Sequence, residues 1–362
     1  MSTFRPVELT LAAVSAETPD AVTLAFNDPA GELAGYLPGQ FLTLNVAVGG
    51  KQHRRSYSLC SAPGLDAHPT VCVKRVPGGL VSNELVDNWK AGQTMQLFTP
   101  IGNFVCEPKP GARRHIVLVG AGSGITPLWS IAKSILTHEP GSQVSLIYGN
   151  RREDCIIFSE PIRQWQAQHP ARFRVVHALT QPPAGWQGAT GRIHGAMVVD
   201  LLRHLEPLQD VEETRYYLCG PQAMADDVEQ ALLGTGVVRR NIFRESFFSD
   251  SQVNHQETVE VGGAQAAAGG EGPFSVTIKH DGDTYEVEVP LGETILQAAL
   301  DQDIDLPYSC QAGLCTACRA KCLSGAVEMD ETEGLVESEI REGYVLLCVG
   351  HPKSAGIVVE VG

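Results

Sequence analysis

Four cysteines constrain this chain more than any other feature: Cys310, Cys315 and Cys318 in a C-x4-C-x2-C loop, then Cys348 after 29 intervening residues. This is the ligand spacing of a plant-type 2Fe–2S cluster, in which each iron takes two thiolates and two bridging sulfides. A loop wrapped around such a cluster turns backbone N–H groups toward the sulfurs, and Gly313 permits the close approach. Residues 344–348 read as the strand that delivers the last ligand. The competing assignments are a structural zinc site or a disulfide set. Zinc sites pair two short hooks, and here the second is missing. Ten cysteines in 362 residues are few for a disulfide-built secreted chain. Cys322 reads as a packed thiol, and Cys60, Cys72, Cys106 and Cys155 as small buried hydrophobes.

A chain of this length, 43% hydrophobic and 19% charged, has material for two or three domains. In residues 1–110 short runs at 22–26, 41–46, 55–59 and 70–74 are punctuated by Gly49-Gly50, Pro63-Gly64 and Pro77-Gly78-Gly79. That rhythm predicts an antiparallel β-barrel. In residues 111–250 apolar strands at 115–119, 144–148, 173–178 and 216–219 alternate with helices, one with Pro127 in its first turn. That predicts an α/β doubly wound parallel sheet. Residues 251–272, rich in Gly, Ala and Gln without an aromatic, read as a linker. Residues 273–362 hold a hairpin (274–279 and 285–289), a short helix at 294–300 and the cysteine loop.

Charge and hydropathy limit the partners. No run of about 18 apolar residues occurs, so no helical membrane span is expected. The first residues lack an apolar leader, which favours the cytoplasm. A net charge of −15 disfavours non-specific binding to nucleic acid or anionic membrane. Residues 273–362 hold 16 acidic and 5 basic residues: either a solvated surface or a docking face for a basic partner.

The turn Gly120-Ala121-Gly122-Ser123-Gly124-Ile125-Thr126-Pro127 joins an apolar strand to a helix. Its glycines let the backbone approach a pyrophosphate, and the helix N-terminus favours negative charge. It is not a G-x-G-x-x-G fingerprint. At the end of the next strand, where an acidic residue would hold an NAD ribose, stand Asn150, Arg151 and Arg152. Guanidinium groups suit a 2′-phosphate and favour NADPH over NADH. Glu153 and Asp154 follow at once, leaving open two solvated arginines. In the barrel, Arg55 can pair with a phosphate, Tyr57 can stack on a flat ring, and Ser58 can hydrogen-bond a ring nitrogen.

These motifs occur in the order of a known family. R-x-Y-S spans Arg55 to Ser58, G-G-x-x-S spans Gly78 to Ser82, and G-x-G-I-T-P spans Gly122 to Pro127. Y-x-x-C-G-P follows at Tyr216 to Pro221, with Leu218 and Cys219 inside it, and E-x-F at Glu245 to Phe247. With the cysteines they resemble the ferredoxin–NADP reductase superfamily, in particular bacterial oxygenase reductases ending in a ferredoxin domain. The likeness is greatest to the phenylacetyl-CoA epoxidase type, with the 3-ketosteroid 9α-hydroxylase reductases near it.

The resemblance implies three domains, the last a β-grasp ferredoxin fold. It implies FAD on Arg55, Ser56, Tyr57, Ser58, Val73, Lys74, Gly79, Val81 and Ser82, with Thr126 and Phe247 at the flavin edge. Gly120, Gly122, Gly124, Asn150, Arg151 and Arg152 would take the pyridine nucleotide, and Cys219, Gly220 and Pro221 would flank its nicotinamide. Ser58 and Cys219 would serve the reaction. Electrons would run from nicotinamide through FAD and the cluster to an oxygenase: a di-iron epoxidase, or alternatively a Rieske or steroid hydroxylase drawing on NADH.

Overall fold

The computed structural model describes residues 5–205, 211–246, 259–262, 273–304, 306–308, 313, 316–330, 332, 334–335 and 337–361. The chain divides into two compact units, Met1–Ser249 and Asp250–Gly362.

The first unit opens with six strands: β1 (Pro6–Thr18), β2 (Ala21–Asn27), β3 (Phe41–Val48), β4 (Lys51–Ser58), β5 (Thr70–Lys74) and β6 (Thr94–Ile101). In β1 the buried Val7, Leu9 and Leu11 alternate with polar residues, so one face packs inward while the other meets solvent. The strands pair in the order β4-β3-β6-β1-β2-β5, every pairing antiparallel. Leu59, next to β4, bridges to Val71 of β5, so the two edges meet and the sheet curls into a barrel. Helix α1 (Leu80–Asn88) starts at Gly79, immediately after Gly78 at φ +74°.

Next come β7 (Arg114–Ala121), α2 (Ile125–His138), β8 (Gln143–Asn150), α3 (Ser159–Gln168), β9 (Phe173–Leu179) and β10 (Ala189–Thr190). They are followed by α4 (Gly195–His204), β11 (Glu213–Gly220), α5 (Gln222–Gly234) and β12 (Ile242–Ser246). All six strands are parallel in the order β10-β9-β8-β7-β11-β12. α2 and α3 pack on one face and α4 and α5 on the other, which is why β7 and β8 are apolar without alternation. The strand order reverses between β7 and β11, leaving a crevice at their carboxyl ends, where such sheets bind ligands.

Side chains tie barrel to sheet. Ser130 of α2 donates to the Ser61 carbonyl at 2.6 Å, and Lys133 pairs with Asp66. The Tyr217 hydroxyl donates to the Val105 carbonyl at 3.2 Å. The connecting chain is pinned by Glu139, which is fully buried. It accepts from the Lys109 amide at 2.7 Å, Ser142 at 2.6 Å and Arg114 Nε at 3.1 Å. Removing one partner of such a pair leaves an uncompensated buried charge.

The second unit contains β13 (Val259–Gly262), β14 (Phe274–His280), β15 (Asp283–Val289), α6 (Ile295–Asp301), β16 (Arg319–Ser324), β17 (Ala326–Met329), α7 (Glu337–Arg341), β18 (Tyr344–Leu346), β19 (Gly350–Pro352) and β20 (Ile357–Val361). Five strands run β15-β14-β20-β16-β18, with β14 parallel to β20. Ile295, Leu296, Ala298 and Ala299 of α6 seal one face, and Thr294 caps the helix by accepting from the Gln297 amide.

Two expectations need correction. Strand β13 lies within the stretch read as linker, and it pairs antiparallel with β17. Its backbone finds partners in the β17 ladder, which composition alone cannot foresee. The strand expected to carry Cys348 stops at Leu346. The Val349 amide donates to the Leu346 carbonyl at 3.2 Å, so Cys348 sits in a turn.

Glu139→Ala is expected to lower stability by about 3–5 kcal/mol, with the denaturant midpoint of the first unit shifted and its m-value unchanged.

Candidate functional site

The crevice between β7 and β11 is set by backbone contact. A Cβ on Gly124 would lie 2.1 Å from the Cys219 carbonyl oxygen, and one on Gly120 would lie 2.6 Å from Leu128 Cδ1. Only glycine lets the turn press against the end of β11. Gly122 holds φ +57°, the region glycine enters at little cost. Its carbonyl accepts from the Tyr148 hydroxyl at 2.8 Å and from the Ile125 amide. Thr126, buried, donates through Oγ1 to the Ser123 carbonyl at 3.0 Å. Turn carbonyls are thus held by protein donors, and the start of α2 has no side-chain cap. Uncapped N–H groups at a helix start are an anion site.

Across the crevice, the parallel register sets Cys219 opposite Gly120 and Glu245, and Gly220 opposite Ser246. Burial pushes the Cys219 thiol well above its ordinary range, and the neighbouring Glu245 charge adds to this. It therefore stays a neutral thiol. Ser58, at the end of β4, donates to Glu245 Oε2 at 3.1 Å. One hydrogen bond thus joins the barrel strand to the end of the nucleotide sheet. Phe247 lies outside the described residues.

The other barrel candidates lie on β4, α1 and β5. Arg55, Ser56 and Tyr57 follow one another on β4, and burial raises the Tyr57 phenol above its usual range. Val81 and Ser82 are buried in the first turn of α1, which has no side-chain cap at Gly79. A Cβ on Gly79 would lie 2.8 Å from Ser82 Oγ, and Ser82 Oγ accepts from the Val76 amide at 3.0 Å. An uncapped helix start suits the diphosphate of a dinucleotide such as FAD. Val73 is different: its side chain is fully buried in the barrel core and is not presented to a ligand. Lys74 Nζ is 3.8 Å from Asp20 and 3.9 Å from where a Gly122 Cβ would stand, so it reaches the nucleotide turn.

Asn150 ends β8 and is 8% exposed. Its amide lies beside the Tyr148 hydroxyl, yet among the described residues neither of its polar atoms makes a well-formed hydrogen bond. A buried amide with hydrogen-bonding capacity to spare, at the carboxyl end of β8, fits a polar ligand. Arg152 is committed to a bidentate pair with Asp154 at 2.9 and 3.0 Å. Arg151 is exposed.

In the second unit Cys318 and Cys348 are both buried. The Gly313 amide donates to Cys348 Sγ at 3.4 Å, and the Leu347 amide to the Cys318 carbonyl at 3.1 Å. Buried sulfur receiving a backbone N–H suits a cluster thiolate. Cys310 and Cys315 lie outside the described residues. Cys322, as expected, is a packed thiol, with Sγ 3.4 Å from the Ser324 carbonyl.

Two residues without an assigned role in the sequence reading gain one here. Glu245 belongs to the E-x-F motif, but its hydrogen bond to a residue 187 positions earlier depends on non-local strand pairing. Tyr148 reads as an ordinary strand aromatic until its hydroxyl is located. Gly124→Ala is expected to cost about 1–3 kcal/mol of stability, seen as a lowered melting temperature, and to weaken nucleotide binding more than Gly234→Ala, which meets no neighbouring atom and has no positive φ.

Comparison with known proteins gives the same division. Residues 8–106 match the oxidoreductase FAD-binding domain, 118–230 the oxidoreductase NAD-binding domain and 278–353 the 2Fe-2S iron-sulfur cluster binding domain. The chain is 34% identical to a subunit of the 1,2-phenylacetyl-CoA epoxidase of Escherichia coli, over 99% of this chain and 98% of that protein. It is 36% identical to the ferredoxin reductase component of 3-ketosteroid-9-alpha-monooxygenase of Rhodococcus rhodochrous, over 98% and 97%. The fold matches phthalate dioxygenase reductase over 98% of each chain, with a TM-score of 0.61 at 23% identity. Among the described residues no helix is long and apolar enough to cross a membrane. The chain belongs to the ferredoxin–NADP reductase superfamily, as an oxygenase reductase component with FAD-binding, NAD-binding and C-terminal 2Fe–2S domains.

Proposed function

We propose that this chain supplies electrons from NADPH to the di-iron oxygenase of a phenylacetyl-CoA epoxidase. The observation that carries the reading is the match to the Escherichia coli epoxidase protein, which runs through all three domains. When bound, FAD takes two electrons from a nicotinamide and releases them one at a time, the exchange that a one-electron 2Fe–2S cluster requires.

The protein's own groups bind and orient. The starts of α1 and α2 hold two diphosphates by backbone N–H groups, with Arg55 and Lys74 adding positive charge. Ser58, fixed by Glu245, stands at the flavin edge. Cys219 and Gly220 form the wall beside the nicotinamide, and the neutral buried thiol keeps charge and water from that wall. Cys310, Cys315, Cys318 and Cys348 hold the cluster. The choice of NADPH rests on Arg151, exposed beside the Asn150 amide and its spare hydrogen-bonding capacity, with Arg152 drawn aside by Asp154. A second reading, NADH-fed service to a steroid hydroxylase, is favoured by the 36% identity to that reductase.

Anaerobic NADPH is expected to bleach both the flavin and the iron–sulfur absorption of the purified holoprotein. Reconstitution with the epoxidase core and phenylacetyl-CoA is expected to yield epoxide, whereas turnover only with a steroid oxygenase would select the second reading. Arg151→Ala is expected to raise KM for NADPH about tenfold, equivalent to about 1.4 kcal/mol, and to leave KM for NADH unchanged. Equal effects on both would remove the 2′-phosphate assignment.

A further inference from the structure

Tyr148 is fully buried, yet its hydroxyl emerges at the nucleotide turn. Register pairs it with Gly120 on one side and His177 on the other. Its hydroxyl donates to the Gly122 carbonyl at 2.8 Å. Gly122 sits at φ +57°, and an added Cβ there would meet nothing closer than Lys74 Nζ at 3.9 Å. The Gly122 carbonyl is therefore oriented by its hydrogen bonds, from the Tyr148 hydroxyl and the Ile125 amide, rather than by packing on the glycine.

The direction of that carbonyl decides what the turn shows a ligand. It points to Tyr148 and also receives the Ile125 amide. Tilted toward the crevice, it would aim its dipole at a bound diphosphate. A diphosphate gains from an N–H and is repelled by a carbonyl, so the tilt bears on affinity more than on folding.

We infer that Tyr148 is a positioning residue that locks the Gly122 peptide with its carbonyl turned from the diphosphate of the pyridine nucleotide. The inference rests on the reading that the diphosphate lies at this turn. The fold holds a built-in control in Tyr217, equally buried on the adjacent strand β11, whose hydroxyl donates to Val105 far along the chain. Each hydroxyl donates a buried hydrogen bond to a backbone carbonyl. Only Tyr148 is bonded to the turn.

The test compares Tyr148→Phe and Tyr217→Phe in the full-length holoprotein, with ADP-ribose as the calorimetric probe. Tyr148→Phe is expected to weaken ADP-ribose binding about tenfold, or about 1.4 kcal/mol, within the range for one hydrogen bond. KM for NADPH should rise by a similar factor while kcat at saturation holds. Tyr217→Phe should leave both unchanged. Thr126→Val removes the side-chain donor from the Ser123 carbonyl, which keeps the Ile125 amide, and should weaken binding by a smaller factor, which serves if Tyr148→Phe fails to fold. Unchanged affinity in the Tyr148 variant, or in the Thr126 variant where that one stands in, overturns the inference, as does equal weakening in the Tyr217 control. Absence of ADP-ribose binding by the unaltered protein, by contrast, overturns the underlying assignment of the turn and the inference with it.

Discussion

The approach of Gly124 to the Cys219 carbonyl is the constraint around which the first unit is arranged. Two parallel strands that part company at the switch point can enclose a ligand only if something narrows the gap without filling it. Here backbone lies against backbone, with no room for even a methyl group. That contact fixes where α2 begins, and so where its free N–H groups lie. It also presents Cys219 and Gly220 at the crevice wall. The barrel then closes the site from the other side, through the hydrogen bond between Ser58 and Glu245.

Such a site tolerates little relative movement of barrel and sheet, and the interior is built accordingly. Glu139 collects donors from the connecting chain, from β7 and from its own turn. Arg172 then caps the carboxyl end of α2 through the carbonyls of Leu136, Glu139 and Ser142 at 2.7, 3.0 and 3.1 Å. A buried ionic cluster of this kind contributes less to net stability than a well-packed apolar one would. Its geometric demands are stricter, and they keep the two halves of the crevice in register.

Much of this is legible in the sequence because its cause is local. Apolar runs mark the parallel strands, and turn glycines mark the barrel breaks and the nucleotide turn. Cysteine spacing points to the cluster ligands ahead of any fold. What the sequence hides is non-local. Glu245 meets Ser58 only after the sheet has formed, and Tyr148 reaches Gly122 only because β8 lies beside β7. The charge expected of Arg152 is present, but Asp154 two residues on takes it up. Strand β13 escapes a sequence reading because a stretch rich in Gly, Ala and Gln shows no period of its own. Its order comes from the edge of β17.

The Gly313 amide directed at Cys348 sulfur bears on energetics as well as shape. A backbone N–H held against a buried sulfur stabilises extra negative charge there, so the reduced form of an attached iron–sulfur centre becomes easier to reach. The donor is carried by the chain itself, at a residue whose φ of +71° is costly for anything but glycine. The reduction potential of a centre held at that sulfur would be written partly into glycine placement. A methyl group at position 313 would be felt in millivolts as well as in folding.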